Sequence, residues 1–250
     1  MCVKSLTLVA ASAALLTPTT LPAPPSRPRV EPVAVRDDAV RAADLLAKVR
    51  DCTRVSRGRY RRDAGAPARI PVCGTREVVY WTADMDIDCD GRPGRRCNRR
   101  TDPLFSSATA YAQSNGRALS AERLPFIVVP APSRIWDHRD HGVRGGSVAA
   151  VVYGDRVQYA VVGDIGPRRV IGEASYATAK ALGIRPDPRR GGAPSDVTYI
   201  VFRNSRVKPI EDRDAAALAG ERLARQFVGR PGGRRPDAYP LPVEAGWASR

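Results

Sequence analysis

The chain has little that could cross a membrane. Outside an apolar run from Leu6 to Leu16, no stretch of its 250 residues approaches the roughly 20 apolar residues that a spanning helix needs. Histidine is nearly missing, with only His138 and His141, and the five cysteines show no CxxC spacing, so a zinc centre is not supplied. There is no Gly-x-Ser-x-Gly elbow, no phosphate-binding Gly-rich loop, no dinucleotide fingerprint and no internal repeat. Serine-nucleophile and nucleotide-dependent chemistry are thereby set aside. No cofactor and no metal are expected.

What is present begins with export. Lys4, the short apolar run and the Thr, Pro and Ala that follow read as a secretory signal over residues 1–23, with a Pro-rich spacer over 24–36. A soluble protein, secreted to the extracellular space, is expected, with no membrane partner. Without Cys2, which falls in the signal, the cysteines are Cys52, Cys73, Cys89 and Cys97. An even count in an exported chain implies disulfides, and the pairing Cys52–Cys73 with Cys89–Cys97 closes the shortest loops. Residues 37–228 are expected to form one catalytic domain, and 229–250 a loose Pro- and Arg-rich tail.

The net charge is +15, almost all of it from arginine. Such a balance can mark a polyanion-binding protein. Here the basic runs contain Gly and Pro and are spread along the chain, and arginine in place of lysine also fits a GC-rich genome. No nucleic-acid partner is expected.

The apolar pattern predicts strands over Arg76–Trp81, Leu124–Val129, Ser147–Tyr153, Val157–Val162 and Asp196–Phe202, the third and fourth joined at Gly154-Asp155. Helices are expected over Asp37–Arg50, Ser175–Leu182 and Arg213–Phe227, with a weaker one near Leu104–Gln113. The fold class is therefore mainly β, a β-barrel with a few peripheral helices. At its centre Val161-Val162-Gly163-Asp164-Ile165-Gly166-Pro167 should carry a strand into a Gly-Asp corner. The chain then re-enters at Ile171-Gly172-Glu173-Ala174-Ser175. Two carboxylates nine positions apart at such a corner suit paired acid and base work. A Glu ahead of a helix is acidified by the dipole, so burial or repulsion from Asp164 must outweigh it if Glu173 is to act as an acid.

Asp84, Asp86, Asp88 and Asp90 alternate, and in an extended chain alternate side chains share a face. The strip needs a cation. Calcium is one candidate, since Asp86-Ile87-Asp88-Cys89-Asp90-Gly91 matches the opening of an EF-hand loop, although Cys97 stands where its Glu should be. Neighbouring arginines and a cationic substrate are the others. Trp136, beside the two histidines, is a candidate wall of a substrate groove.

These segments carry a resemblance. Asp84 to Gly91, Leu124-Pro125-Phe126-Ile127-Val128-Val129-Pro130, the Gly163–Pro167 and Ile171–Ser175 motifs, Ala181-Leu182-Gly183 and Val197-Thr198-Tyr199-Ile200-Val201-Phe202 occur in one order. Together, over about residues 75–205, the chain resembles the chitosanases of glycoside hydrolase family 75, in a secreted, bacterial type. The resemblance implies hydrolysis of β-1,4 links in chitosan with inversion, and Asp164 and Glu173 as the catalytic pair. It gives Asp84, Asp86, Asp88, Asp90 and Trp136 a purpose as substrate-binding residues for a polycation. The corner also looks like the loops of double-psi β-barrels. A monomer is expected. The alternatives are a peptidoglycan-type wall hydrolase and a non-catalytic polysaccharide-binding module, with a secreted nucleic-acid binder favoured by charge alone.

Overall fold

Alternation along one long strand sets up the architecture. The structure, a computed structural model, describes residues 39–229. The expected signal segment and spacer, and the expected tail beyond Gly229, lie outside the described residues. The first elements are helix α1 (Ala42–Lys48) and strands β1 (Cys73–Gly74), β2 (Val78–Asp88) and β3 (Phe126–Pro130). Then follow β4 (Val148–Tyr153), β5 (Arg156–Gly166), β6 (Glu173–Ser175), α2 (Tyr176–Ala181), β7 (Ala193–Phe202) and α3 (Arg213–Gly229). The strand order β1-β2-β6-β3-β5-β4-β7, with β7 also pairing β2, closes six strands into a barrel. Two neighbouring pairs, β2–β6 and β3–β5, are parallel and the rest antiparallel.

In β2 the odd positions Val79, Trp81, Ala83, Met85 and Ile87 point into the barrel, where they meet Ile127, Val162, Tyr199 and Val201. Trp81 stacks on Tyr199 with centroids 5.3 Å apart and lies edge-on to Trp136 at 6.2 Å. Such aromatic pairs add about 0.5–1.5 kcal/mol each beyond their buried area. The even positions face outward. Val78 and Tyr80 are covered by α1 and α3, through Ala42, Leu45, Ala216 and Phe227. Farther along the same face stand Asp84, Asp86 and Asp88. The period-2 rule thus divides one strand into a core side, a helix-covered stretch and an acidic stretch.

Both expected disulfides are formed. Cys52–Cys73 ties the segment after α1 to β1, and Cys89–Cys97 closes the loop after β2. A bridge over loops of this size contributes about 2–4 kcal/mol. Helix α2 is capped by Ser175, whose Oγ accepts from Thr178 N–H and donates to Leu124 C=O. The same Oγ accepts from Phe126 N–H at 3.0 Å, clamping the start of β3 to the end of β6.

Two expectations are corrected. Residues 104–113 form turns, not a helix, because Asp102 accepts Leu104 N–H and Ser106 accepts Ala108 N–H, giving the backbone local partners. The chain also does not leave the sheet at Gly163-Asp164; β5 runs on to Gly166, with a register shift between Ile127 and Val128 of β3.

Candidate active site

That register shift decides where Asp164 points. Ala160 and Val162 face the barrel interior, and strict alternation would send Asp164 inward with them. On the β3 side, Ile127 pairs Val162 and the next residue, Val128, pairs Asp164. Gly163 is the extra residue of a β-bulge, and it turns Asp164 to the outer face. Only glycine fits there. A Cβ on Gly163 would lie 2.5 Å from Phe126 Cγ and 2.6 Å from Phe126 Cβ.

On the outer face Asp86, Glu173, Val128 and Asp164 form one row across β2, β6, β3 and β5. Asp164 and Glu173 each pair Val128 from opposite sides. Two strand spacings of ~4.8 Å put their Cα atoms roughly 9–10 Å apart. Gly166 keeps the space beside Glu173 open, since a Cβ on it would come within 3.2 Å of Glu173 Oε2.

The two carboxyls have different surroundings. Asp164 Oδ1 accepts hydrogen bonds from Ala110 N–H and Ile165 N–H, both at 2.7 Å. Burial pushes the Asp164 carboxyl above its ordinary value, and those two donors pull it back toward the ionised form. Glu173 has no such donor among the described residues. Burial first, then the charges of Asp86, Asp90 and Asp164, push it up to about 7. The expected helix-dipole effect is outweighed, because Glu173 lies in β6 two residues before the Ser175 cap of a short helix. A carboxyl that keeps its proton near neutrality, on the same face as a carboxylate held by N–H groups, is the arrangement that acid–base chemistry requires.

The acidic strip divides in two. Asp88, Asp90 and Asp164 bring one oxygen each within 4.8 Å of one another, and so do Asp63, Asp84 and Asp86. Asp88 is buried, accepts Asp90 N–H, and is pushed well above the carboxylate range by burial and by Glu173. Asp90 accepts Ser106 N–H and is raised by burial. Asp84 is buried with its Oδ1 unpartnered, and burial followed by the Asp86 charge raises it to about 7. Asp86 is exposed at the rim. Because Asp86 and Asp88 lie in β2, the EF-hand loop considered from the sequence does not form. That the strip's aspartates share a face was legible from their alternation, whereas the participation of Asp63 and Ala110 had no sequence signal.

Trp136 is corrected. Only 3% exposed, it packs in the barrel core, donates its Nε1–H to His141 Nδ1 and offers no face to a ligand. His138 is buried too, its Nδ1 paired with Val143 C=O. A 3-10 turn over His138–His141 folds this segment inward. Among the described residues no helix is long and apolar enough to cross a membrane.

Residues 85–227 match the family described as fungal chitosanase of glycosyl hydrolase group 75. The chain is 34% identical over 152 residues to endo-chitosanase C of Aspergillus oryzae, covering 59% of this chain and 35% of that protein. It is 31% identical over 152 residues to an endo-chitosanase of Aspergillus oryzae (strain ATCC 42149 / RIB 40), covering 56% and 61%. With an endo-chitosanase of Aspergillus fumigatus it shares 29% over 134 residues, covering 50% and 56%. The chain thus spans about a third to three fifths of the length of these relatives. They are fungal, where the sequence had pointed to a bacterial type. The solved structure of Streptomyces papain inhibitor (SPI) aligns at TM-score 0.30 and 17% identity over 50% of this chain and 94% of that one, a likeness that carries no argument.

Proposed function

The chain belongs to the group 75 chitosanase family of glycosyl hydrolases, and on that premise we propose that it is a secreted endo-chitosanase. It cuts β-1,4 glucosamine links with inversion, with Glu173 as general acid and Asp164 as general base. The observation that carries this reading is the pairing of both carboxylates with Val128. Inverting glycosidases need their two carboxyls ~6.5–9.5 Å apart so that a water fits between one of them and the sugar. Cα atoms roughly 9–10 Å apart across one intervening strand, with both side chains on the same face, leave room for such a water.

Glu173 protonates the leaving glycosidic oxygen, and its raised value supports the role, because it still holds its proton near neutral pH. Asp164 takes a proton from the attacking water. The N–H groups of Ala110 and Ile165 both bind Oδ1, which orients the carboxylate and leaves Oδ2 for the water. As the acid gives up its proton and the base gains one, the cluster keeps its net charge. The low-dielectric surroundings of Asp88 are therefore not asked to absorb a new charge.

The substrate is a polycation; the exposed Asp86 and the half-buried Asp90 supply opposite charge on the face where the pair stands, and Asp84 and Asp88, raised by burial, offer carboxyl oxygens beside them. The net charge of +15 opposes its approach at long range. Screening over about 8–10 Å at ordinary ionic strength leaves the local acidic face to decide binding. The resulting enzyme is a monomer acting outside the cell, without a cofactor.

The test is release of new reducing ends from chitosan, beside chitin and peptidoglycan, by the protein and by Glu173→Gln and Asp164→Asn. The expected result is cleavage of chitosan, lost in both variants with their thermal unfolding intact. Cleavage of peptidoglycan alone, or of no glycan, overturns the proposal.

A further inference from the structure

Part of the arginine content that the catalytic reading leaves unused gathers on one surface. The loop after β2 carries Arg92, Arg95, Arg96, Arg99 and Arg100, and residues 91–101 include no acid. Its frame is fixed. The Cys89–Cys97 disulfide closes it, and Glu122 accepts Arg96 N–H at 3.0 Å. The Asn98 side chain donates to Gly94 C=O and accepts from Arg100 N–H, both at 2.9 Å. A second loop, between α2 and β7, brings Arg185, Arg189 and Arg190. The two loops meet where the Arg189 guanidinium donates to Arg100 C=O at 2.7 Å. All of these arginines except Arg92 are exposed.

Between the loops is a cavity of about 340 Å³ whose wall includes Arg96, Arg100, Arg189 and Tyr176. A second cavity, of about 430 Å³, shares Arg100 with it and adds Arg99. Arg185 is spent on Asp187, whereas Arg96, Arg99, Arg100 and Arg189 form no ion pair among the described residues. The bordering acids are engaged as well. Asp187 accepts the N–H groups of Arg189 and Arg190 at 2.9 and 3.2 Å, and the buried Asp102 accepts Leu104 N–H at 2.9 Å. The surface begins where the acidic row ends. Asp88 of β2 pairs with Ser175, Tyr176 follows Ser175, and the Asp102 charge reaches Glu173.

Such a surface repels chitosan and calls for an anion. Guanidinium groups bind carboxylates through paired N–H donors. Two cavities that share Arg100 suit successive charges on one polymer better than a single small anion. Nucleic acid fits less well, because its bases stack on exposed aromatic faces. Here Phe105 is buried and Tyr176 packs against the core. A polycation in water always carries counter-charge, and where that counter-charge is itself a polymer the two chains form a neutral complex. A protein that offers carboxylates to one chain and guanidiniums to the other holds both. We propose that the arginine surface is a docking site for an acidic, uronic-acid polysaccharide, and that it retains the enzyme on chitosan complexed with such a chain. The docking rests on charge and geometry, and its link to chitosan rests on the chitosanase reading.

The experiment titrates polyglucuronate into the full chain by calorimetry, for the wild type and for Arg96→Gln/Arg100→Gln/Arg189→Gln. A control, Arg54→Gln/Arg57→Gln/Arg76→Gln, removes the same charge from exposed positions around β1 and the start of β2. Wild-type binding should weaken as salt rises to about 0.15 M. That readout needs no variant to fold. The triple variant should bind about tenfold more weakly, as three exposed ion pairs of modest strength allow, and the control should stay within about twofold. Both enzymes should release reducing ends equally from soluble chitosan, and the triple variant more slowly from chitosan precipitated with polyglucuronate. Binding that ignores salt, or equal losses in the triple variant and the control, overturns the docking site. Tighter binding of DNA at equal charge overturns the choice of partner, and equal rates on complexed chitosan overturn the retention. Polyglucuronate bound through these arginines with no chitosan cut leaves the docking site standing and overturns the chitosanase reading alone.

Discussion

Adding a single methyl group at Gly163 should damage both the barrel and its chemistry. Gly163 is not among the glycines with positive φ, so Gly163→Ala imposes no backbone strain and its effect is steric. The new Cβ would lie 2.5 Å from Phe126 Cγ, 2.6 Å from Phe126 Cβ and 3.0 Å from Leu119 Cδ1. Phe126 Cβ is fixed to the backbone, so no rotamer of the ring relieves the contact. Strands β3 and β5 must separate or the bulge must move. Overpacking of a filled interior costs about 1–3 kcal/mol, and the fixed neighbour argues for the upper end. At ~2–4 °C per kcal/mol for a domain of this size, Tm should fall by about 6–12 °C. The bulge also aims Asp164, and a displacement of about 1 Å at a reacting group can lower turnover ~100-fold. Thermal unfolding followed by circular dichroism, with a reducing-end assay on chitosan, measures both effects. Gly65→Ala is the control, since a Cβ there meets nothing within 4 Å, and it should change stability by no more than about 0.5 kcal/mol. If Gly163→Ala behaves like the control in Tm and turnover, the bulge is not what orients Asp164.

Asp84→Asn should stabilise the protein, but only at higher pH. The folded-state value of Asp84 is raised to about 7 from an ordinary 3.8, so the unfolded chain ionises first and stability falls as pH rises between those values. The full shift corresponds to on the order of 4 kcal/mol, of which about 2 should be measurable once the surroundings of the buried charge relax. Urea unfolding should show that gain at pH 8 and none near pH 4, and a gain independent of pH contradicts it. Turnover should fall as pH rises through about 7, where Glu173 loses its proton. It should also fall in acid at a value above 3.8, where Asp164 gains one; a pH–rate profile in a non-titrating buffer series measures both limbs. Trp136→Phe should cost about 1–2 kcal/mol of stability through lost packing and the lost bond to His141. It should leave KM for chitosan unchanged, and a raised KM would return Trp136 to the substrate groove.

The sequence by itself determined what depends on near neighbours. The alternation of Asp84, Asp86 and Asp88 against Ala83, Met85 and Ile87 fixes which residues share a face, because strand geometry repeats every two residues. Cys52–Cys73 and Cys89–Cys97 close short loops, and most strands and helices follow from apolar spacing with their Gly and Ser punctuation. The nine-residue spacing of Asp164 and Glu173 marked them as a candidate pair, while their places on either side of Val128 are set by strand pairing. Tertiary structure decided the rest, for a common physical reason: each feature arises where segments distant in sequence meet. The bulge at Gly163 exists because Phe126 of another strand occupies the space a side chain would need. Ala110, 54 residues from Asp164, supplies an N–H that no local pattern marks. Trp136 looks like a groove residue in its polar loop and is drawn inward by Trp81 of β2. The arginine surface is assembled from two loops whose arginines, read along the chain, are only scattered charge.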